Sequence, residues 1–328
     1  MNAIEVNNIT KTYTPKKNVI TAVDDVSFSV EEGELFGLIG PDGAGKTSIF
    51  RILTTLLLAD KGNATVLGLD VVRDYSAIRN IVGYMPGRFS LYQDLTVEEN
   101  LNFFATIFNT TIRENYDSVA DIYKQLEPFK TRRAGKLSGG MKQKLALSCA
   151  LIHKPKILFL DEPTTGVDPV SRKEFWEMLK RLKAQGISIL VSTPYMDEAN
   201  LCDRIALIQN GKILEIDTPQ NIVNRFDKNL YALKSENMFN LLNDLRAYSK
   251  TESCFAFGQY HHLVLNEASP DLNQLKVYLK NHSEIEIAQI KPGIEDRFMQ
   301  LMRSPSQPFP KQCCQLKGEN VWVFQNGI

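Results

Sequence analysis

The sequence predicts an α/β fold with a parallel core sheet, antiparallel strands at the N-terminus and a small α+β unit at the C-terminus. Three observations carry that expectation. Leu35–Ile39 (LFGLI) is an apolar run suited to a buried strand, and it leads directly into Gly40-Pro41-Asp42-Gly43-Ala44-Gly45-Lys46-Thr47. Residues 156–160 (KILFL) form a second such run, which ends in Asp161 and Glu162. Residues 187–191 form a third, ending in Ser192-Thr193-Pro194. Strands covered on both faces read as continuous apolar runs, and open α/β sheets place their chemistry at the C-terminal ends of such strands.

The octapeptide at 40–47 fits the phosphate-binding pattern G-x-x-x-x-G-K-[ST], and it stands between an expected strand and an expected helix (48–58), where that pattern has physical meaning. Glycines let the backbone curl so that its N–H groups converge on a phosphate chain, at the positive end of the helix that follows. Lys46 is placed to reach the terminal phosphates and the Thr47 hydroxyl to hold Mg²⁺, with Ser48 opening the helix. At the end of the 156–160 strand, Asp161 suits Mg²⁺ through its water shell and Glu162 suits polarising an attacking water. Leu137-Ser138-Gly139-Gly140-Met141-Lys142-Gln143 opens another helix, running to His153. Ser138, Gly139 and Gly140 at its start read either as a second anion-binding helix end or as a plain Ser cap.

Elsewhere the order of elements follows from periodicity and turn chemistry. Residues 4–30 read as antiparallel strands, with Tyr13 in the polar stretch between them; a ring there is compatible with stacking on a base or with turn packing. Short strands reach Asp70, followed by a brief helix at 74–80 and a strand at 81–84. Thr96 with Glu99 three residues on is a capping-box start, and the pattern stays helical to about Phe129, an inserted helical subdomain. Helices at 170–184 and 196–201 and a hairpin turning at Asn210-Gly211 complete a first domain, 1–226. Residues 229–303 read as strand, helix, strand, strand, helix, strand and a last helix, a small split α/β sandwich. His261 and His262 are on opposite faces of one of its strands and cannot chelate together. The tail, 304–328, carries Pro305, Pro308 and Pro310 and is expected to be poorly ordered.

Composition narrows the function classes. Lys plus Arg and Asp plus Glu each total 38 of 328 residues, so no net field favours nucleic acid or anionic lipid. Cys149, Cys202, Cys254, Cys313 and Cys314 are odd in number and lack metal-ligand spacing, which suits a reduced, cytoplasmic chain. The start, MNAIEVNNITKTY, has no signal-peptide pattern, and no apolar run approaches the roughly 20 residues of a membrane-spanning helix. Any membrane part is therefore expected in other chains.

With Lys46, Ser138, Asp161 and Glu162 in this order, residues 1–226 resemble the nucleotide-binding subunit of an ATP-binding cassette (ABC) transporter, and the LSGG sequence at 137–140 makes the resemblance specific. It implies a phosphate-loop ATPase cassette that binds ATP and Mg²⁺ and drives a separately encoded membrane permease from the inner face of the cell membrane. It also makes Tyr13 the adenine-stacking aromatic and Gly166 to Asp168 a dimer-contacting loop. Two cassettes would enclose two ATPs, each held by one subunit's phosphate loop and the other's Ser138, Gly139 and Gly140. The C-terminal unit, with Gly293-Ile294-Glu295-Asp296-Arg297-Phe298, resembles the extension of ABC-2 type drug-exporter subunits.

Two positions depart from the family pattern. The Gln that usually follows the 81–86 segment is Gly87, and the His that usually follows Thr193 is Pro194. Neither replacement offers a side-chain hydrogen bond. Asp42, where Asn is common, adds an anion to the phosphate loop. Binding is expected to persist and hydrolysis at this subunit's own site to be slow, which favours a heterodimer with a second ATP-binding subunit over a homodimer. The rival expectations are a non-hydrolysing regulatory half-site and a soluble ABC protein of DNA repair or translation; the single cassette and balanced charge stand against the latter.

Overall fold

A computed structural model describes residues 1–14, 18–87, 91–267 and 270–302. The chain divides into two compact units, Met1–Ile222 and a second that begins at Val223. The expectation for the tail, and Cys313 and Cys314 with it, lies outside the described residues.

In the first unit, β1 (Asn2–Tyr13) and β2 (Ile20–Glu31) pair antiparallel, with β4 (Lys61–Val66) and β5 (Leu69–Asp70) completing a sheet of order β2-β1-β4-β5. The core sheet holds β3 (Leu35–Ile39), β6 (Val82–Met85), β7 (Ile157–Asp161), β8 (Ser188–Thr193), β9 (Arg204–Gln209) and β10 (Lys212–Asp217) in the order β10-β9-β3-β8-β7-β6. Its pairs are parallel except the β9–β10 hairpin, whose turn residues Asn210 and Gly211 have φ of 50° and 77°. Every residue of β3, β7 and β8 is buried, as the three apolar runs require.

The helices of this unit are α1 (Lys46–Leu53), α2 (Tyr75–Ile81), α3 (Val97–Ile107), α4 (Tyr116–Leu126), α5 (Gly139–Leu151) and α6 (Pro169–Ala184), and α7 (Pro219–Asn224) spans its last residues and the first two of the second unit. Ile49, Phe50 and Leu53 of α1 share one buried cluster with Val6, Ile9 and Phe28 of the N-terminal sheet and Phe36, Phe159 and Leu190 of the core sheet. Phe50 meets Phe159 edge-on with ring centroids 6.2 Å apart, and Phe28 stacks on Phe36 at 5.7 Å. Burial of α1 between two sheets fixes the loop at its N-terminus.

Three elements differ from expectation. The α1 helix ends at Leu53 rather than near Leu58, because Thr55 takes a left-handed φ of 62° that an α-helix cannot continue through. The helical stretch 96–129 is two helices and a short 3-10 turn, broken where Asn109 has φ of 52° and Glu114 ties back to Thr110 and Thr111. Met196–Leu201 is a 3-10 helix. The Thr96–Glu99 capping box is present, with Thr96 N–H donating to Glu99 Oε2 at 2.8 Å and Glu99 N–H to Thr96 Oγ1 at 3.2 Å.

The second unit contains β11 (Leu230–Lys234), α8 (Met238–Ala247), β12 (Thr251–Phe257), β13 (Tyr260–Leu265), α9 (Leu272–Tyr278), β14 (Glu286–Ile290) and α10 (Ile294–Leu301), the expected order. Its sheet runs β12-β13-β11-β14, all antiparallel. Leu233, Leu241, Leu245, Cys254, Leu263 and Leu275 form its core. His261 Nε2 donates to Met238 O (2.7 Å) and His262 Nδ1 pairs with Asp296 Oδ1 (2.7 Å), so the two rings serve different contacts.

Candidate nucleotide-phosphate site

The loop between β3 and α1 has a shape that only glycine permits at its key points. A Cβ on Gly40 would lie 2.1 Å from Ile208 O, and one on Gly45, where φ is +102°, would lie 2.1 Å from Ala22 O. Ala44 N–H closes on Pro41 O, and Gly40 N–H donates to Thr193 O at the end of β8. The N–H groups of Gly43, Gly45, Lys46 and Thr47 donate to no acceptor among the described residues. Four backbone donors without partners at a helix N-terminus suit an anion with several oxygens. Asp42 and Gly43 are exposed at the crest of the loop.

Lys46 is the only buried lysine among the described residues, at 3% exposure. Its Nζ donates to the carbonyls of Gly40 (2.8 Å) and Pro41 (3.0 Å) and sits 3.1 Å from Glu162 Oε1. Thr47 Oγ1 donates to Asp161 Oδ2 at 2.8 Å. The structure therefore brings Lys46, Thr47, Asp161 and Glu162 together from stretches more than a hundred residues apart. A hydroxyl and a carboxylate side by side form an all-oxygen donor set, which fits Mg²⁺. Tyr13 is at the last position of β1, its hydroxyl 3.1 Å from Ser48 Oγ and its ring partly exposed.

Sequence reasoning missed Ser192, which holds the Asp161 carboxylate and the Glu162 backbone. Ser192 Oγ donates to Asp161 Oδ1 at 2.6 Å, and both Ser192 Oγ and its carbonyl accept the Glu162 N–H. That anchorage keeps Glu162 at φ 51°, a left-handed conformation rare for a residue with a side chain. The signal in the sequence was a pair of hydroxyls, Ser192 and Thr193, closing an apolar strand in line with the acids. Gly87 also borders the cluster: a Cβ there would stand 3.0 Å from Asp161 O and 3.7 Å from its Oδ2. Tyr84, two residues before Pro86, has its phenol pushed up to about 12 by burial and then by the Asp161 carboxylate, with Arg51 opposing.

Ser138, Gly139 and Gly140 open α5, and no hydrogen bond among the described residues joins them to that cluster. Ser138 Oγ accepts Met141 N–H at 3.3 Å as an N-cap, and Ser138 and Gly139 are exposed. Gly140 is buried for a reason of its own, since a Cβ there would lie 2.5 Å from Ser171 Oγ of α6. Among the described residues no group of His, Cys, Asp or Glu forms a further metal site, and no helix is long and apolar enough to cross a membrane. Cys149, Cys202 and Cys254 are buried free thiols.

Residues 23–165 match the ABC transporter family profile. The Nod factor export ATP-binding protein I of Bradyrhizobium diazoefficiens is 35% identical over 308 residues, which cover 91% of this chain and 96% of that protein. The chain belongs to the ABC transporter ATP-binding proteins. The probable multidrug ABC transporter ATP-binding protein YbhF of Escherichia coli is 39% identical over 286 residues, 86% of this chain, and the chain spans about half (49%) of that relative's length. The doxorubicin resistance ATP-binding protein DrrA of Mycobacterium tuberculosis is 38% identical over 68% of each chain. Among solved structures, the ATP-binding cassette MJ0796, a dimer bound to ADP and Pi, superposes with a TM-score of 0.60 at 25% identity, covering 66% of this chain and 98% of that one. ABC cassettes bind ATP with Mg²⁺ as partner ion, and the hydroxyl, carboxylate and free N–H groups described above suit both.

Proposed function

We propose that this ABC protein is the ATP-binding and ATP-hydrolysing subunit of an exporter whose membrane path is a separate permease, docked on the inner face of the cell membrane. The observation that carries the reading is the convergence of Lys46, Thr47, Asp161 and Glu162 on one buried loop. Gly40, Pro41, Asp42, Gly43, Ala44 and Gly45 shape that loop, Lys46 meets the terminal phosphates, Ser48 and Tyr13 border it, and Thr47 with Asp161 hold the cation. Mg²⁺ held by Thr47 and Asp161 would draw charge from the phosphate oxygens. Glu162 polarises the attacking water once Lys46 turns from it to phosphate. Kinship with proteins named for multidrug, doxorubicin and Nod factor export supports export as the direction and argues against a DNA-repair or translation role.

The assembly we favour is a heterodimer of ATP-binding subunits. Gly87 and Pro194 place no side-chain hydrogen bond at the Mg²⁺ and γ-phosphate ends of this chain's own site, while Ser138 and Gly139 stay exposed for a partner's ATP. A second reading, favoured by the same two residues, is a half-site that binds ATP without turning it over.

Lys46→Ala tests the binding assignment. Losing a charge-assisted contact to phosphate removes most ATP affinity. Calorimetry on the full chain showing unchanged affinity would overturn it.

A further inference from the structure

Glu198 has 2% exposure, and its carboxylate joins two segments that the phosphate site uses. Thr164 Oγ1 donates to Oε1 at 2.8 Å, and Thr193 Oγ1 donates to Oε2 at 2.5 Å. Both hydroxyls are themselves buried, at 1% and 0% exposure. Thr164 follows Glu162 by two residues. Thr193 directly follows Ser192, the residue that holds Asp161 and Glu162, and its carbonyl accepts the N–H of Gly40.

The same carboxylate also meets α6. Arg172 Nε on α6 stands 3.7 Å from Glu198 Oε1, and its guanidinium lies 4.1 Å from the centroid of the Tyr195 ring. Tyr195 N–H in turn donates to Thr193 Oγ1 at 3.0 Å. Arg172 adjoins Ser171, the residue against which Gly140 at the start of α5 is packed. The loop leaving Thr164 brings Gly166 O to 3.4 Å from a Cβ position on Gly139. One buried carboxylate therefore touches both the strand end beside the phosphate loop and the helix that packs on the start of α5, the signature turn formed by Ser138, Gly139 and Gly140.

A buried acid satisfied by two hydroxyls is ordinary structural glue when its partners are neighbours in a single layer. Here the partners belong to three separate segments, the turn after β7, the end of β8 and α6, and replacing such a network by apolar groups often costs a fold nothing. We propose that Glu198 is a positioning residue which couples the ends of β7 and β8 to the signature turn of α5, so that nucleotide held by this chain sets where Ser138 and Gly139 stand. The proposal rests on the ATP-binding reading above.

Three variants test it: Glu198→Gln, Thr164→Val, which keeps shape and loses the hydroxyl, and Thr164→Ser, which keeps the hydroxyl. ATP affinity and amide hydrogen exchange are measured on the full chain, and kcat and KM of phosphate release on the complex purified with its partner chains. Glu198→Gln and Thr164→Val are expected to leave ATP affinity and KM within about twofold while kcat falls about tenfold or more, the pattern of a misplaced group rather than a lost ligand. Without nucleotide, exchange should quicken in 139–143 as well as in 163–168 and 193–198. Thr164→Ser should restore kcat. Unchanged kcat, quickened exchange confined to one segment, a fall in affinity matching the fall in kcat, or a Thr164→Ser variant as slow as Thr164→Val would each overturn the coupling. Wild-type chain that fails to bind ATP would instead overturn the functional reading, which keeps the two failures apart.

Discussion

Gly140 shows how one residue can answer to two demands. In the signature turn it is one of two glycines at a helix N-terminus, a place suited to anions, yet its missing side chain also makes room for Ser171 on α6. The presence of Gly140 is therefore explained by packing alone, and only Ser138 and Gly139, exposed and free of tertiary hydrogen bonds to the phosphate cluster, argue for a use outside this chain. Gly140→Ala should destabilise the chain by about 1–3 kcal/mol through overpacking. Ser171→Gly in the same chain removes the obstructing atoms and should return much of that loss. Denaturant unfolding of the single and double variants measures both effects. Equal instability of the two would show that Ser171 is not what excludes the side chain.

Among the elements, what the sequence announced was whatever depends on neighbouring residues. The runs at β3, β7 and β8 were legible because a strand covered on both faces carries no polar interruptions, and the phosphate loop because its chemistry is contiguous. The break at Asn109 and the end of α1 at Thr55 were not, since a left-handed φ in a residue other than glycine leaves little mark in composition. Nor were the roles of Ser192 and Glu198, whose partners Asp161 and Thr164 stand 31 and 34 residues away along the chain and meet them only once β7 and β8 pair. Histidine adds a prediction at this scale. His153, after α5, directs Nε2 to Val82 O of β6 and stacks on Phe108 at 3.7 Å, while its Nδ1 is buried without a partner. His261 on β13 repeats the pattern, with Nε2 at Met238 O and a buried, unpartnered Nδ1. Burial lowers the pKa of both below the ordinary 6.5, so on acidification the unfolded chain takes up protons first. The stability these rings confer is present above pH 6.5 and is lost as pH falls through their depressed folded values. Melting temperature should drop between pH 7.5 and 5.5, and His153→Gln with His261→Gln should shrink that drop. An unchanged drop would mean that other groups govern it.

For the whole molecule, the central claim is that its two nucleotide-facing surfaces are unequal. Lys46, Thr47, Asp161 and Glu162 meet in one cluster, while Gly87 beside Asp161 and Pro194 after Thr193 bring no side-chain hydrogen-bonding group, which on the proposed reading keeps binding and slows catalysis. In the signature turn Ser138 caps α5, and Ser138 and Gly139 are exposed. In a heterodimer this chain would clamp one ATP slowly and lend Ser138 and Gly139 to a partner's faster site. Each missing preorganised contact to developing charge is worth on the order of 10²- to 10³-fold in rate, so most turnover should belong to the partner's ATP. The direct test is steady-state phosphate release from the reconstituted complex carrying either Ser138→Arg or Glu162→Gln in this chain. On this reading Ser138→Arg would put a bulky cation where a partner's γ-phosphate would dock and should abolish most activity, whereas Glu162→Gln would alter only the group proposed to polarise water at this chain's own site and should leave most of it. Equal damage from the two, or a complex that proves to be a homodimer, would contradict the account.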